Sequence, residues 1–327
     1  MDIREKIGQR LVFGFPGTTI PAEFAALVRE YKIGSVILFR YNIESLPQLT
    51  RLCADIQELI RGATGRDAFI TIDQEGGMVT RLPWDAVNVP GSMALAATGK
   101  PENAVLAAEI TARQLRGVGV NFNLAPDLDV NSNPMNPVIG VRSFGDDPQS
   151  VALFGAKAVE GYKNGGMLCC GKHFPGHGDT AVDSHIGLPC IEKTMDELEA
   201  CELISFRAAI KAGADIVVGT HPHIVQGIEA YQDSYILYSL GNLVFGGNVD
   251  PDDRDAYLAR VTFTVYEDHC DAPELTVVPI RLTALDKGTD YRPVVADEAD
   301  SARIFKRIMK LSSGMGDFVN GELTEGL

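Results

Sequence analysis

The sequence predicts an α/β fold: a TIM-barrel-like parallel sheet of about six β/α units, incomplete as a barrel, followed by a C-terminal mixed α/β segment. Short apolar runs, suited to strands buried on both faces, alternate with stretches whose apolar residues recur every three or four positions. Polar residues gather just after these runs, at the end of a β/α barrel where its loops converge. A doubly wound sheet is the alternative, because it also collects polar residues at strand ends, around one switch point.

Six apolar runs are the predicted strands: Leu11–Phe15, Ser35–Arg40, Ala68–Asp73, Val120–Ala125, Met167–Lys172 and Asp215–Thr220. Helical stretches lie between most of them: Ala22–Tyr31, Leu46–Ile60, Ala104–Leu115, Ser150–Tyr162 and Met195–Lys211. Asp147-Pro148 and Thr194-x-x-Glu197 predict helix starts, the second as a capping box whose two side chains satisfy N–H groups of the first turn. Parallel strands joined by helices imply right-handed crossovers.

The pattern changes after residue 221. Three strands without intervening helices are predicted at Ile236–Leu240, Ala256–Val265 and Leu275–Leu282, which indicates antiparallel pairing. A last helix is predicted over Ser301–Leu311. We therefore predict two domains, residues 1–212 and 213–327, separated by a change of pattern and not of composition.

Composition and charge limit the classes of molecule that the protein is expected to bind. The chain has 29 basic and 44 acidic residues, a formal net charge of −15, which argues against nucleic-acid and polyphosphate partners. No apolar run approaches the roughly 18–20 residues that span a bilayer. The N-terminal MDIREKIGQRLVFGF predicts a helix and a strand, unlike a signal peptide. We expect a cytoplasmic protein with a small neutral substrate and no membrane partner; the sequence leaves the oligomeric state open.

The strongest chemical signal is the segment KHFPGHGDT at residues 172–180, followed by Asp183-Ser184-His185. Glycines and a proline bracket histidines, aspartates and a lysine directly after a predicted strand. Such a segment is typical of a shaped loop that presents side chains at the sheet's C-terminal edge.

This loop resembles the signature of family 3 glycoside hydrolases, specifically the bacterial β-N-acetylglucosaminidases of peptidoglycan recycling. Three further segments agree in order: IDQEGGMVTRL (72–82), NFNLAPDLDVN (121–131) and GVRSFGDDP (140–148). The resemblance extends from about residue 5 to residue 220. It implies a β/α barrel, hydrolysis of a terminal N-acetylglucosamine with retention, and no cofactor.

The resemblance also implies roles for individual residues. The positions that match the family's sugar-binding residues are Asp73, Arg81, Arg142, Lys172 and His173. His185 matches the general acid/base and Asp183 the carboxylate that orients it. An imidazole can serve because it titrates near neutrality and the carboxylate fixes its tautomer.

The nucleophile is the missing part of this pattern. Retention requires a carboxylate about 5 Å across the sugar, which this family places at the end of the seventh strand in a run similar to VVTDDLxM. No such run occurs; Asp286 and Asp290 are candidates by position alone. A full barrel takes about 250 residues, so the last two β/α units are expected to be absent.

The C-terminal part has a resemblance of its own. GADIVVGTHPHIVQGIEAY (213–231), YSLGNLVFGGN (238–248) and DYRPVVADEADSARIF (290–305) resemble the poly-γ-glutamate capsule-biosynthesis family, whose fold is a calcineurin-like metallophosphoesterase. The match covers about 213–312, and in that fold His221 and His223 would be ligands of a two-metal site. The other ligands of such a site would come from an N-terminal half that is not present here, so we expect no metal, with these two histidines as the alternative. The chain thus looks like a fusion at residues 212–215, whether natural, engineered or a sequencing artefact.

Three functions follow from these observations. The first is a glycosidase impaired by the missing nucleophile. The second is a metal-dependent phosphoesterase or capsule-polymer enzyme, and the third is a non-catalytic sugar-binding or chimeric protein.

Overall fold

The computed structural model describes residues 5, 8–9, 11–180, 193–213, 216–217, 224–231, 234–237, 239–242, 250–251, 253–262, 274–290 and 292–313. The chain divides into two compact units. The first consists of Met1–Ala181 and Ile191–Val218, and the second consists of Val182–Cys190 and Gly219–Leu327. The domain boundary at residue 212 stays a prediction. Within the described ranges, no helix has the length and apolar character needed to cross a membrane.

The first unit is built on a parallel sheet of six strands: β1 Val12–Phe13, β2 Ser35–Leu38, β3 Phe69–Ile72, β4 Phe122–Asn123, β5 Leu168–Gly171 and β6 Ile216–Val217. Every adjacent pair is parallel, and the spatial order equals the chain order. A doubly wound sheet would reverse its order at a switch point, whereas a β/α barrel keeps chain order. The predicted fold class is therefore confirmed.

Helices connect these strands: α1 Ala22–Tyr31, α2 Leu46–Thr64, α3 Ser92–Ala96, α4 Glu102–Gly117, α5 Pro148–Asn164, α6 Met195–Ala200 and α7 Glu202–Ala212. Both predicted helix starts are present. The Asp147 carboxylate accepts the amide N–H of Ser150 at 2.7 Å, and Thr194 and Glu197 form the capping box.

The predicted helix Met195–Lys211 is wrong in one respect, because the chain breaks at Cys201, whose φ of −133° and ψ of −80° are not helical. The break turns Glu202 inward. Its side chain is fully buried and pairs with Lys193, which also lies 3.2 Å from Asp179. The periodicity did not reveal this, since a glutamate in a helical pattern normally faces solvent.

Small residues let α5 pack closely on α4. A Cβ atom at Gly161 would lie 2.2 Å from the carbonyl oxygen of Val105 and 2.8 Å from Cβ of Ala108. A Cβ at Gly165 would lie 2.3 Å from Cβ of Ala112. The two helices can approach this closely only because those side chains are missing, and α5 leads directly into β5.

The second unit contains antiparallel strands. β7 Ile228–Tyr231 pairs with β8 Ser234–Leu237, while β9 Asp255–Thr262, β10 Glu274–Arg281 and β11 Val294–Val295 form a second sheet. A helix, α8 Glu298–Leu311, contributes to a core of Val225, Ile228, Tyr257, Val277, Ile304 and Ile308. The predicted antiparallel pairing is confirmed, and β7 is a strand that the sequence did not indicate.

Candidate functional site

Polar side chains that follow three neighbouring strands meet at one edge of the parallel sheet. Because parallel strands end at the same edge, residues just past β3, β4 and β5 lie side by side. A parallel bridge between Asp127 and Lys172 continues the pairing of β4 and β5 beyond the strands. The cluster, called the charged pocket below, consists of Asp73, Glu75, Asp127, Asp129, Arg142, Lys172 and His173.

Lys172 lies between two carboxylates. Its Nζ is 2.6 Å from Oδ1 of Asp73 and 2.7 Å from Oε1 of Glu75, and 9% of its side chain is exposed. Burial alone would lower the pKa of this ammonium, but the charges of Glu75 and Asp73 outweigh burial and raise it. Lys172 is therefore cationic. An ammonium has three N–H donors, and Asp73 and Glu75 account for two of them among the described residues.

Glu75 holds a second cation. Nε of Arg142 donates to Oε2 of Glu75 and Nη2 donates to Oε1, both at 2.9 Å, in a bidentate pair. Arg142 comes from a short 3₁₀ turn, Gly140–Arg142. Burial raises the pKa of Glu75, but Lys172 and Arg142 together bring it well below its usual range. The carboxylate is charged although 3% of the side chain is exposed.

His173 is neutral and has a fixed tautomer. Nη2 of Arg142 lies 3.2 Å from its Nε2, and a guanidinium can only donate, so Nε2 accepts. The ring proton must then be on Nδ1, which donates to Oδ2 of Asp129 at 2.6 Å. Burial is the largest cause that lowers the pKa of His173, to about 4. This histidine therefore stays uncharged at neutral pH.

Asp127 and Asp129 are almost fully buried. Burial is the main reason that the pKa of each lies above its usual range; the Asp129 charge raises that of Asp127 further, whereas amide N–H groups oppose the shift at Asp129. Oxygen or nitrogen atoms of Asp127, Asp129 and His173 lie within 4.8 Å of one another and could hold a metal ion. The guanidinium of Arg142 supplies positive charge beside these groups, since its Nη2 lies 3.5 Å from Oδ2 of Asp127.

The loop at residues 172–180 after β5, called the signature loop, is held by hydrogen bonds to the side chains of Asp129 and Asn136. Asp129 accepts the amide N–H of His177 at 2.7 Å and that of His173 at 3.3 Å. Nδ2 of Asn136 donates to the carbonyl oxygens of His177, at 2.7 Å, and Thr180, at 3.0 Å. These bonds position the loop that carries His173, and the segment from residue 181 to 192 lies outside the described residues.

Four of the predicted sugar-binding residues, Asp73, Arg142, Lys172 and His173, belong to this one network. Arg81 does not: its amide N–H donates to Oε1 of Gln74 at 2.7 Å, and its buried Nε has no hydrogen-bond partner in the part of the chain described. The roles of all five stay predictions.

The structure tests few of the other candidates. Asp183, His185, His221 and His223 fall outside the described residues. Asp286 is exposed, and Asp290 accepts a hydrogen bond from Oγ1 of Thr283 at 2.6 Å, an ordinary structural contact of the second unit.

Glu75, Asp127, Asp129 and Asn136 were not among the predicted site residues. Glu75 and Asp129 each lie two residues after an aspartate at or just past the end of a predicted strand, Asp73 and Asp127, and that position at the strand ends could have revealed them. Nothing in the local sequence indicates the contact of Asn136 with the signature loop.

Comparison with known proteins identifies the family to which most of the chain is similar. The family model for the glycosyl hydrolase family 3 N terminal domain matches residues 2–246. "Beta-hexosaminidase A" of Pseudoalteromonas piscicida is 40% identical over 200 residues, 60% of this chain and 33% of that protein. "Beta-hexosaminidase" of Stenotrophomonas maltophilia is 36% identical over 254 residues, 74% of each chain. This chain thus spans a third of the first relative's length and three quarters of the second's.

Solved structures of family 3 glycoside hydrolases are also similar to this chain. A family 3 β-N-acetylglucosaminidase from Paenibacillus sp. str. FPU-7 has a TM-score of 0.66 at 43% identity, covering 68% of this chain and 42% of that one. NagZ from Neisseria gonorrhoeae, in complex with N-trifluoroacetyl-D-glucosamine, has a TM-score of 0.59 at 32% identity, covering 64% and 63%. The family model crosses the predicted junction at residues 212–215.

Proposed function

Because the chain belongs to glycosyl hydrolase family 3, we propose that its charged pocket binds a terminal β-linked N-acetylglucosamine and that it is a β-N-acetylhexosaminidase-type glycoside hydrolase. The observation that carries this proposal is Lys172 between Asp73 and Glu75 at the C-terminal edge of a parallel sheet. The names of the relatives, hexosaminidases and β-N-acetylglucosaminidases, supply the class of substrate.

Sugar recognition would rest on charged donors and acceptors. Described residues use two of the three N–H donors of Lys172, and the third would bind a sugar hydroxyl. Asp73, 19% exposed, is the carboxylate of the pocket most open to a ligand. Hydrogen bonds to charged groups are shorter and stronger than those between neutral groups. Arg81, Arg142 and His173 complete the proposed sugar-binding set on the strength of the family resemblance.

Catalysis would use His185 as general acid/base, with Asp183 fixing its tautomer. A retaining reaction also needs a carboxylate nucleophile, for which the sequence has no recognisable run. Losing one member of a catalytic set typically costs a factor on the order of 10⁴ in rate. We therefore expect the chain to bind sugar well and to turn it over at least that much more slowly than a complete enzyme.

The test combines turnover with binding. We expect N-acetylglucosamine to bind, and nitrophenol to be released very slowly from nitrophenyl N-acetyl-β-glucosaminide and not from the matching glucoside. Asp73→Asn should abolish sugar binding. Asp67→Asn is the matched control, because Asp67 lies at the opposite end of β3 and is paired on the surface with Arg61. Failure of the wild-type protein to bind the sugar excludes the function, and nitrophenol release at the rate of a complete enzyme refutes the impaired turnover.

For the C-terminal segment we propose only an origin related to the capsule-biosynthesis family, with His221 and His223 as candidate metal ligands. Its support is the sequence resemblance alone, and the family model that extends to residue 246 competes with it. Elemental analysis of purified protein that finds neither zinc nor manganese would exclude a two-metal site. The remaining proposals are a cytoplasmic location and a small carbohydrate as partner, without nucleic acid or membrane.

A further inference from the structure

We propose that Glu75 is the positioning residue of the charged pocket: it holds Lys172 and Arg142 in the places from which they bind sugar, without touching the sugar itself. This inference rests on the proposed function. Glu75 was not predicted as a site residue, and neither the resemblance nor the relatives assign it a role.

The geometry is the first step. Oε1 of Glu75 accepts from Nζ of Lys172 at 2.7 Å and from Nη2 of Arg142 at 2.9 Å, while Oε2 accepts from Nε of Arg142 at 2.9 Å. Both oxygens are thus occupied, and the side chain is almost wholly buried. Three of its roughly four acceptor sites are filled and 3% of the side chain is exposed, so its effect on binding is expected to pass through the two cations.

Connectivity is the second step. Lys172 follows β5 and Arg142 comes from a separate 3₁₀ turn, 30 residues earlier in the chain. Among the described contacts, Glu75 is the carboxylate that makes hydrogen bonds to both. Arg142 in turn donates to His173, so the position of the imidazole also depends on Glu75.

Charge is the third step. Lys172 and Arg142 repel each other, and burial deprives both of water. A charged carboxylate between them removes this repulsion, and its loss would leave two buried cations facing a neutral group. The ammonium of Lys172 would then turn towards Asp73 alone, which is the group proposed to bind the sugar.

The experiment uses the full chain and three variants. Glu75→Gln keeps the shape and removes the charge, whereas Glu75→Asp keeps the charge but is shorter by one carbon–carbon bond, about 1.5 Å. Glu160→Gln is the control, because Glu160 is a surface glutamate of α5 paired with Lys157. Binding is measured by fluorine NMR with N-trifluoroacetyl-D-glucosamine, and the titration of the Lys172 ammonium is followed by NMR without ligand.

We expect Glu75→Gln to weaken binding of the probe at least tenfold and to lower the pKa of Lys172, since one of the two charges that raise it is gone. Glu75→Asp should bind with intermediate affinity, and Glu160→Gln should match the wild type. Probe binding within twofold of the wild type in Glu75→Gln, or an unchanged Lys172 titration, overturns the inference.

The two proposals fail differently. A wild-type chain that does not bind the probe contradicts the proposed function, while the ligand-free titration of Lys172 still decides the role of Glu75. If Glu75→Gln does not fold, Glu75→Asp decides instead. Because its charge is retained, undiminished probe affinity in that variant shows that the reach of Glu75 to both cations is not required.

Discussion

Replacing Lys172 by methionine probes the charged pocket most severely. Its ammonium lies 2.6 Å from Asp73 and 2.7 Å from Glu75. At an effective dielectric constant of about 20, each contact represents roughly 6 kcal/mol of direct attraction before desolvation is subtracted. Removing one partner of a buried pair typically costs about 3–5 kcal/mol, because a buried charge loses its compensation. Arg142 still neutralises part of Glu75, so we expect a loss of about 3 kcal/mol in the free energy of unfolding at pH 7.

Urea unfolding at several pH values measures this loss. Because Glu75 would have one cation instead of two, its pKa should rise, and protonation on acidification should relieve the penalty. The deficit relative to the wild type should therefore shrink between pH 7 and pH 4. Lys157→Met is the control, since that lysine forms an exposed pair with Glu160 whose loss should cost less than about 1 kcal/mol. Equal losses in the two variants would refute the reasoning.

Three further predictions concern stability. Gly178→Ala should lower the free energy of unfolding by about 3 kcal/mol or more, because its Cβ would lie 1.7 Å from the carbonyl oxygen of Val130. Gly62→Ala in α2 is the control: open space surrounds that position, so the change should raise the free energy of unfolding by about 0.5–1 kcal/mol. Chemical denaturation that gives the reverse order would contradict this. Asp127→Asn should stabilise the protein at pH 8 and not at pH 3. Burial raises the folded-state pKa of Asp127 above the unfolded value of 3.8, so the stability that the protonated carboxyl contributes is present below pH 3.8 and is lost as the pH rises through the folded-state pKa. A Tm that is unchanged at pH 8 would exclude this cost. Asp147→Ala should cost about 1 kcal/mol through the lost N-cap of α5, and a thermal melt equal to that of the wild type would show that the cap is dispensable.

The fold was largely predictable because strand and helix periods are local. The alternation of buried strands with amphipathic helices predicted β2, β3 and β5 almost to the residue. The break at Cys201 was not predictable, because it accompanies the burial of Glu202 beside Lys193. The helical period places a glutamate on the surface, and Lys193 precedes the predicted helix.

The site was predictable in part for a related reason. Asp73 and Lys172 follow the ends of strands, and a sheet of parallel strands brings such residues together at one edge. Arg142 lies in a short 3₁₀ turn outside the strand and helix pattern, and only the resemblance of its segment to a family motif indicated it. The bonds of Glu75 to Lys172 and of Asp129 to His173 join residues more than 40 positions apart in the chain. Local patterns do not report such contacts.

A crystal structure of the chain soaked with N-trifluoroacetyl-D-glucosamine tests most directly whether the charged pocket is a sugar site. We predict that sugar hydroxyl oxygens lie within about 3.2 Å of a carboxylate oxygen of Asp73 and of Nζ of Lys172. Sugar bound at another surface, with these two side chains still paired only with each other and Glu75, would contradict the assignment.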